Sequence, residues 1–597
     1  MKLFDRSLFL TCFLLLLVGL VTAPVMAQNL PEEPKVISEE LNFGDNPQPG
    51  GDFVISTTAG PEGFNPVIAT STSTIAVTNM LFSRLFEINP ISLEQEPELA
   101  KDWETSEDGR VYTFTLRKGV KWSDGEPLTA DDVLFTFQDL HFNDDVESDT
   151  RSQLQVEVEG EKKLPEVEKV DEYTVRFTFP KVFAPALEGL TTPIMPKHAL
   201  EDKVHKLNPD VSEGNFNEVW SLDTDPEDLV TCGPFVVEEF ASGRHIILEK
   251  SPYSFYADEQ GRQLPYLDQV TMLFVEDEET AVSKFLNGEV EALTFSSGNY
   301  PTLKKREPDN DFTVYRAGPD FGTSNNIGFN YDVEDEGLRE LFRNVKFRRA
   351  MSYAFDEETV VDNVFNGLAE PQWGPISKAN TLYHNPDLKE YKFDLEKAEE
   401  LLDEIGVVDA NGDGTRETPA GEELSFTLIT DSGGVREEMA TIFANDLKEI
   451  GVELNVQGQE FGSVINRMQD GDFEAVSMSL VGSRDPHGTA VNVFGSEGGF
   501  HYWHWSAEED PTETEQEIDK LLSQATGTVD VEERQKLYGE YQRIMSEQLP
   551  VLFTVQPESL YAVWDQVGNI GETPSPYLSE RRGSLFTPLA HLVYKRE

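Results

Sequence analysis

Residues Tyr112–Phe135 read YTFTLRKGVKWSDGEPLTADDVLF, and three local signals follow one another along them. Tyr112, Phe114 and Leu116 alternate with Thr113 and Thr115, the period of two that marks a strand with one buried face. Ser123-Asp124-Gly125 supplies turn chemistry, with Gly125 able to take the positive φ that other residues resist. Thr129 then stands where an N-cap belongs, Asp132 completes a capping box, and Val133, Leu134 and Phe137 form an apolar face. The local reading is strand, hairpin, capped helix, and it names no function.

At 597 residues the chain exceeds what one core supports, so two or three domains are expected. A hydrophobic fraction of 38% with 10% aromatic suffices for globular cores, which separates this chain from acidic disordered proteins despite its net charge of −62. Such a surface repels phosphate, so nucleic acid is excluded as a partner. The acidic excess is spread over the whole chain and fits a salt-adapted, halophile-like protein. At about 1 M salt the Debye length is about 3 Å, and self-repulsion is screened.

Lys2 and Arg6, the apolar run Leu8–Leu20 and the small-residue end Val25-Met26-Ala27 make residues 1–27 a cleaved signal peptide, with a retained anchor as the alternative. A periplasmic or otherwise extracytoplasmic location is expected. Cleavage removes Cys12 and leaves Cys232 alone, so no internal disulfide forms. Residues 28–50, rich in Pro, Glu and Asn, read as a disordered acidic leader.

Further along, Ile75–Phe86 has helical spacing, 140–170 is charged enough for a surface loop, and Val270–Val275 is a strand followed by a helix through Phe285. Phe312–Asn330, with Gly318-Pro319 and Gly322, reads as a crossing between two α/β runs. Leu338–Ala354 predicts one helix. From Leu424 to Leu480 strands and helices alternate as βαβαβ, a second lobe.

Trp103, Asp108-Gly109, YTFTLRKGVKWSDG and PLTADDV together closely resemble the signature of the family 5 extracellular solute-binding proteins, the peptide, nickel and oligosaccharide receptors of ABC importers. Thr231-Cys232-Gly233-Pro234-Phe235 resembles that family's Gly-x-Gly-Pro-Phe turn. RNVKFRRAMSYAFDEETVV, residues 343–361, resembles its Arg-x-Ala-x-x-Tyr-Ala motif. The resemblance implies an α/β, two-lobed hinged periplasmic-binding-protein fold of type II. Lobe 1 would comprise 51–79, 216–315 and 556–597, an extra subdomain 80–215, and lobe 2 316–555. It also implies a monomeric receptor that binds a peptide or oligopeptide between its lobes and delivers it to a membrane permease. Oligosaccharide or nickel-chelate binding is the alternative, and a secreted hydrolase is the alternative of another class. No Gly-x-Ser-x-Gly elbow, His-Glu-x-x-His helix or phosphate loop is present, so neither catalysis nor a cofactor is expected.

Ligands of open α/β sheets bind beyond the carboxyl ends of strands. The loop VGSRDPHG, residues 481–488, follows such a strand and offers Ser483, Arg484 and Asp485, with Arg484 suited to fork a carboxylate. Asp485 equally suits a turn cap before Pro486. Dipeptide- and oligopeptide-binding relatives hold the ligand's α-amine with an aspartate four residues before that proline, and here the position is Gly482. Trp503 and Trp505, in the cluster HYWHW, are expected either to wall the cleft or to pack beneath a loop. Asn65, in an Asn-Pro turn that borders the cleft in the family, Phe321 in the crossing, and Trp373 complete the candidates. No metal site is expected: His501 and His504 lack an evident third ligand. Asp409–Glu417 resembles the start of an EF-hand but has Ala420 in place of the bidentate Glu, so a β-turn is expected.

Overall fold

The computed structural model describes residues 30–37, 47–89, 94–319, 321–480, 482–504, 511–570 and 592–596; the expected signal peptide lies outside them. Two large sheets assembled from distant segments define two lobes. The first has the strand order Phe235–Ala241, His245–Lys250, Gln269–Phe274, Asp52–Thr57, Ala292–Thr294, Val555–Trp564, Phe312–Pro319. Ala369–Pro371 pairs with the beginning of Val555–Trp564. The second has the order Glu453–Gln459, Ser425–Asp431, Ala475–Leu480, Thr323–Phe329, Val551–Phe553. Each lobe has its own apolar core.

Two of the passages between the sheets are short, from Pro319 to Thr323 and from Phe553 to Val555, and between them Ala369–Pro371 returns the chain to the first sheet. The first sheet thus retains the chain through Pro319, beyond the expected change at 316. Strand direction fixes where the lobes face each other. Asp52–Thr57 runs parallel to Gln269–Phe274 and Ala292–Thr294, and Thr294 pairs with Tyr561 on the way to the Val555 crossing. In lobe 2, Ser425–Asp431 runs parallel to both its neighbours, and Leu480 pairs with Thr323 beside the other crossing. The carboxyl ends of both parallel sets therefore point at the junction, where ligands of such sheets bind.

A third sheet, ordered Ala100–Thr105, Val111–Leu116, Thr174–Thr178, Glu166–Asp171, forms the subdomain on lobe 1. Tyr112, Phe114 and Leu116 are buried with Trp122 and Phe177, and the capping box of Thr129 and Asp132 is present. Asp132 also accepts from the Lys197 backbone N–H at 3.0 Å, tying two segments together. The charged stretch expected as a surface loop contributes the edge strand Glu166–Asp171. Only Val167 there faces the core, and charges blunt the free edge, so no apolar alternation is visible.

The described part of the expected leader is ordered. Lys35–Ile37 pairs in parallel with Tyr256–Asp258, Lys35 is buried against Glu87, and Glu33 accepts from Lys101 Nζ at 3.0 Å. A three-residue strand held by ion pairs leaves no apolar signature for composition to reveal. The helix expected at Ile75–Phe86 is Thr72–Leu81, capped by Ser71, and Phe86 begins a strand. Leu338–Ala354 is split into Glu336–Arg343 and Val345–Tyr353 at Asn344, whose side chain caps the second helix by accepting from the Lys346 N–H at 2.9 Å.

Arg348, in the motif at 343–361, has a structural role. It lies buried over the Tyr331 ring and donates to the carbonyls of Phe342, Gln548 and Leu549 at 2.7, 2.9 and 2.8 Å. Those last two carbonyls close the helix Val531–Gln548, where Leu549 turns left-handed at φ 46°. Arg348→Met leaves buried acceptors unpaired at about 1–3 kcal/mol each. We expect its urea midpoint, read by tryptophan fluorescence, to fall well below wild type; an unchanged midpoint would contradict this role.

Candidate functional site: the interlobe cleft

The rim of lobe 2 is the loop that leaves Leu480. Gly482 lies so close to the crossing segment that any Cβ would overlap the Phe321 carbonyl. The position where the family resemblance leads us to expect an amine-binding aspartate is thus closed to every side chain here. Asn380 Nδ2 donates to the carbonyls of Ser483 and Arg484 at 3.1 and 2.9 Å, while Ser483 Oγ donates to the Asp485 carbonyl. Asp485 is buried and accepts from Arg534 Nη1 and Nη2 at 2.7 and 3.0 Å. Arg534 lies against the rings of Tyr383 and Tyr538 and donates to the Tyr383 hydroxyl at 2.8 Å. Burial pushes the Asp485 carboxyl up, but the charge and hydrogen bonds of Arg534 outweigh it and hold it below its ordinary value.

Both Asp485 oxygens are therefore engaged inside the lobe, and this candidate is corrected from ligand contact to loop anchor. Arg484, by contrast, is half-buried, and among the described residues its guanidinium pairs with no carboxylate. Phe321, Asn380, Gly482 and Pro486 help line a cavity of about 20 Å³, enough for a single water.

The rim of lobe 1 offers more room. At the carboxyl ends of Asp52–Thr57 and Gln269–Phe274, a cavity of about 390 Å³ is lined by Thr58, Gly60, Leu222, Phe240, Phe274 and Glu276 among others. Asn65 follows in the next turn but is buried. Its Nδ2 donates to the Phe216 carbonyl and its Oδ1 accepts from the Val67 N–H, both at 3.1 Å, so its amide is spent within the lobe.

The subdomain touches lobe 2 across the cleft. The Ala184 N–H donates to the Thr526 carbonyl at 2.8 Å. The Phe183 ring meets His487 edge-on at 5.4 Å, and Ile88 packs with Phe321 and Ala379. Phe321 is thus part of an apolar contact between the lobes. Trp373 is half-buried on the lobe 2 core.

Trp503 is corrected from cleft wall to core. It is fully buried, and its carbonyl accepts from the Tyr331 N–H at 2.6 Å. Tyr331 follows Phe329, which pairs with Ala475 at the amino end of its strand, opposite the end from which the 482–488 loop leaves. Trp505 lies outside the described residues. In the EF-hand-like loop, Asp409 accepts from the Gly412 and Gly414 N–H groups at 2.6 and 3.0 Å, and Asp413 from Thr415 at 2.8 Å, which closes a turn. Burial pushes the Cys232 thiol far up, which leaves it unreactive.

Sequence reasoning missed Arg534 and the lobe 1 cavity. Arg534 looks like any exposed helical charge, and nothing in the spacing links it to Asp485.

Two α/β lobes, joined by paired crossings and facing each other with the carboxyl ends of their strands, define a hinged binding protein. The family described as bacterial extracellular solute-binding proteins, family 5 Middle, matches residues 94–502, and the chain belongs to it: it is a binding protein of the ABC-importer type. The chain is 29% identical to the oligopeptide-binding protein AppA of Bacillus subtilis strain 168, over 87% of this chain and 88% of that one. The AppA structure, solved with a nonapeptide, matches with TM-score 0.69 at 26% identity, covering 92% of this chain and 100% of that one. The periplasmic binding protein MelB of Agrobacterium fabrum C58, solved with stachyose, shares the fold with TM-score 0.75 at 22% identity, covering 96% and 89%. Family 5 binding proteins are extracytoplasmic, and among the described residues no helix is long and apolar enough to cross a membrane.

His487 lies at the contact between the subdomain and lobe 2. Burial pushes it down to about 4, with the Asp485 charge opposing and Arg534 assisting. A histidine depressed at this contact protonates more readily when the contact opens, so acid favours opening as pH falls from about 6.5 towards about 4. NMR of labelled histidine should place His487 near 4 in the wild type and higher in Phe183→Ala; titration near 6.5 in both would contradict the burial.

Proposed function

We propose that this protein captures a peptide or oligopeptide between its lobes and presents the closed complex to a membrane permease. The observation that carries this reading is Arg484, whose guanidinium pairs with no carboxylate among the described residues, on a loop held by Asn380 in a chain with net charge −62. Such a guanidinium suits the carboxylate of a ligand, which it can grip with two parallel hydrogen bonds. The lobe 1 cavity, lined by Phe240 and Phe274 with Glu276 at its edge, suits an apolar side chain beside an amine. The nonapeptide bound by AppA supports the same ligand class.

The closed approach at Gly482 favours a second reading, a ligand without an α-amine such as an oligosaccharide or a metal chelate. The dispersed acidity is read as a salt adaptation of the surface.

Thermal scans with a nonapeptide, stachyose and nickel–histidine separate these readings, since a ligand stabilises the state it binds. The peptide should raise the Tm, and Arg484→Ala should weaken its binding about 10- to 100-fold, the loss of a charged hydrogen bond. A rise with stachyose or nickel–histidine alone would contradict peptide binding, and turnover of the peptide would revive the hydrolase. The same scans in dilute buffer should show a lower Tm than at high salt; an unchanged Tm would oppose salt adaptation.

A further inference from the structure

The segment after the cleft loop brings two histidines and a glutamate together at the far end of lobe 2. His501, His504 and Glu515 are all buried, and their ligating atoms lie within 4.8 Å of one another. Among the described residues this is the one group of His, Cys, Asp or Glu side chains that converges in this way. His501 Nε2 and His504 Nδ1 stand 3.0 and 2.9 Å from the same oxygen, Glu515 Oε1.

The surroundings fix what each atom offers. His501 Nδ1 is 3.0 Å from the Val493 carbonyl, which only accepts, so Nδ1 carries the hydrogen. His501 Nε2 then faces a carboxylate oxygen, a contact that a second ring proton or a metal ion placed between the two atoms can satisfy. The far nitrogen of His504 lies 3.7 Å from Asp332 Oδ1. His501 thus has a hydrogen-bonded acceptor beyond it, the Val493 carbonyl, the pattern that orients metal-ligating histidines, while the Asp332 carboxylate stands near His504 at ion-pair distance only. Glu515 Oε2 accepts from the Thr512 N–H at 2.7 Å and also stands 3.1 Å from His504 Nδ1, while Oε1 faces both histidines. The Trp503 ring lies 4.1 Å from His501, and Tyr331 packs on His504, so neither imidazole is free to swing.

We propose that His501, His504 and Glu515 bind a divalent transition-metal ion, with Zn²⁺ the ion best matched to two imidazoles and one carboxylate. Zinc bonds of about 2.0–2.2 Å need ligand atoms somewhat farther apart than these hydrogen-bond distances, a widening of a few tenths of an ångström. A water completes the fourth position. Asp332 pairs with Arg343 at 3.1 Å, so that arginine's charge is neutralised within the site. The ion would join Glu515, at the start of the helix Glu513–Thr526, to the 501–504 segment, which Trp503 ties to Tyr331. The site lies at the sheet end opposite the cleft, so it is distinct from the ligand site and should act on the stability of lobe 2.

The test uses the full chain, washed with EDTA and titrated with ZnCl₂ or CoCl₂ alone at neutral pH. One ion per chain, an intense four-coordinate Co²⁺ visible spectrum and a raised Tm are expected. His504→Gln and Glu515→Gln should each abolish the spectrum, while Arg484→Ala, a change in the cleft, should leave it intact. Because Glu515→Gln also weakens a helix cap, zinc X-ray absorption on the unaltered protein provides an independent reading, expected to show two imidazoles. No stoichiometric binding would overturn the proposal and assign the cation to a proton. Binding that survives both substitutions, or that Arg484→Ala removes, would overturn it in favour of the cleft.

Discussion

The short covalent crossings from Pro319 to Thr323 and from Phe553 to Val555 constrain everything else in this molecule. Because the strands enter and leave at one edge of each lobe, the carboxyl ends of both parallel sets face the junction. A third segment, Ala369–Pro371, pairs with Val555–Trp564 beside the crossings, and the Gln372 N–H donates to the Thr554 carbonyl at 2.9 Å. Such a junction favours rotation of rigid lobes over deformation of either one. A ligand that touches both rims favours the closed form by as much as it binds that form better.

The lobe 2 rim is stiff for an electrostatic reason. The Asp485–Arg534 pair is enclosed between two tyrosine rings, and Asn380 fixes the backbone next to it. A buried pair of this kind adds little net stability, yet breaking it by removing one partner typically costs about 3–5 kcal/mol. Its consequence is positional: the anchored loop fixes the backbone that carries Arg484.

Much of the fold could be read from local chemistry. The alternation at Tyr112–Leu116 and the box at Thr129–Asp132 were visible because each is decided by neighbours a few residues apart. The strand at Lys35–Ile37 and the edge strand at Glu166–Asp171 were not, because ion pairs and edge exposure replace the apolar pattern there. The site was less legible for the same reason. Asp485 meets Arg534 across 49 residues, and Trp503 lies at the wrong end of the sheet for a cleft wall. Gly482 carried a real signal: its missing side chain marked a change at the rim, whose cause is the close passage of Phe321.

Closure about the paired crossings can be measured with spin labels on Lys181→Cys in the subdomain and Glu532→Cys in lobe 2, both exposed positions, while Cys232 stays buried and unlabelled. Pulsed dipolar distances should be broad and long without ligand and collapse to one short distance when a peptide binds. One unchanged distance distribution, with and without a peptide shown to bind, would contradict a hinged receptor that closes on its ligand.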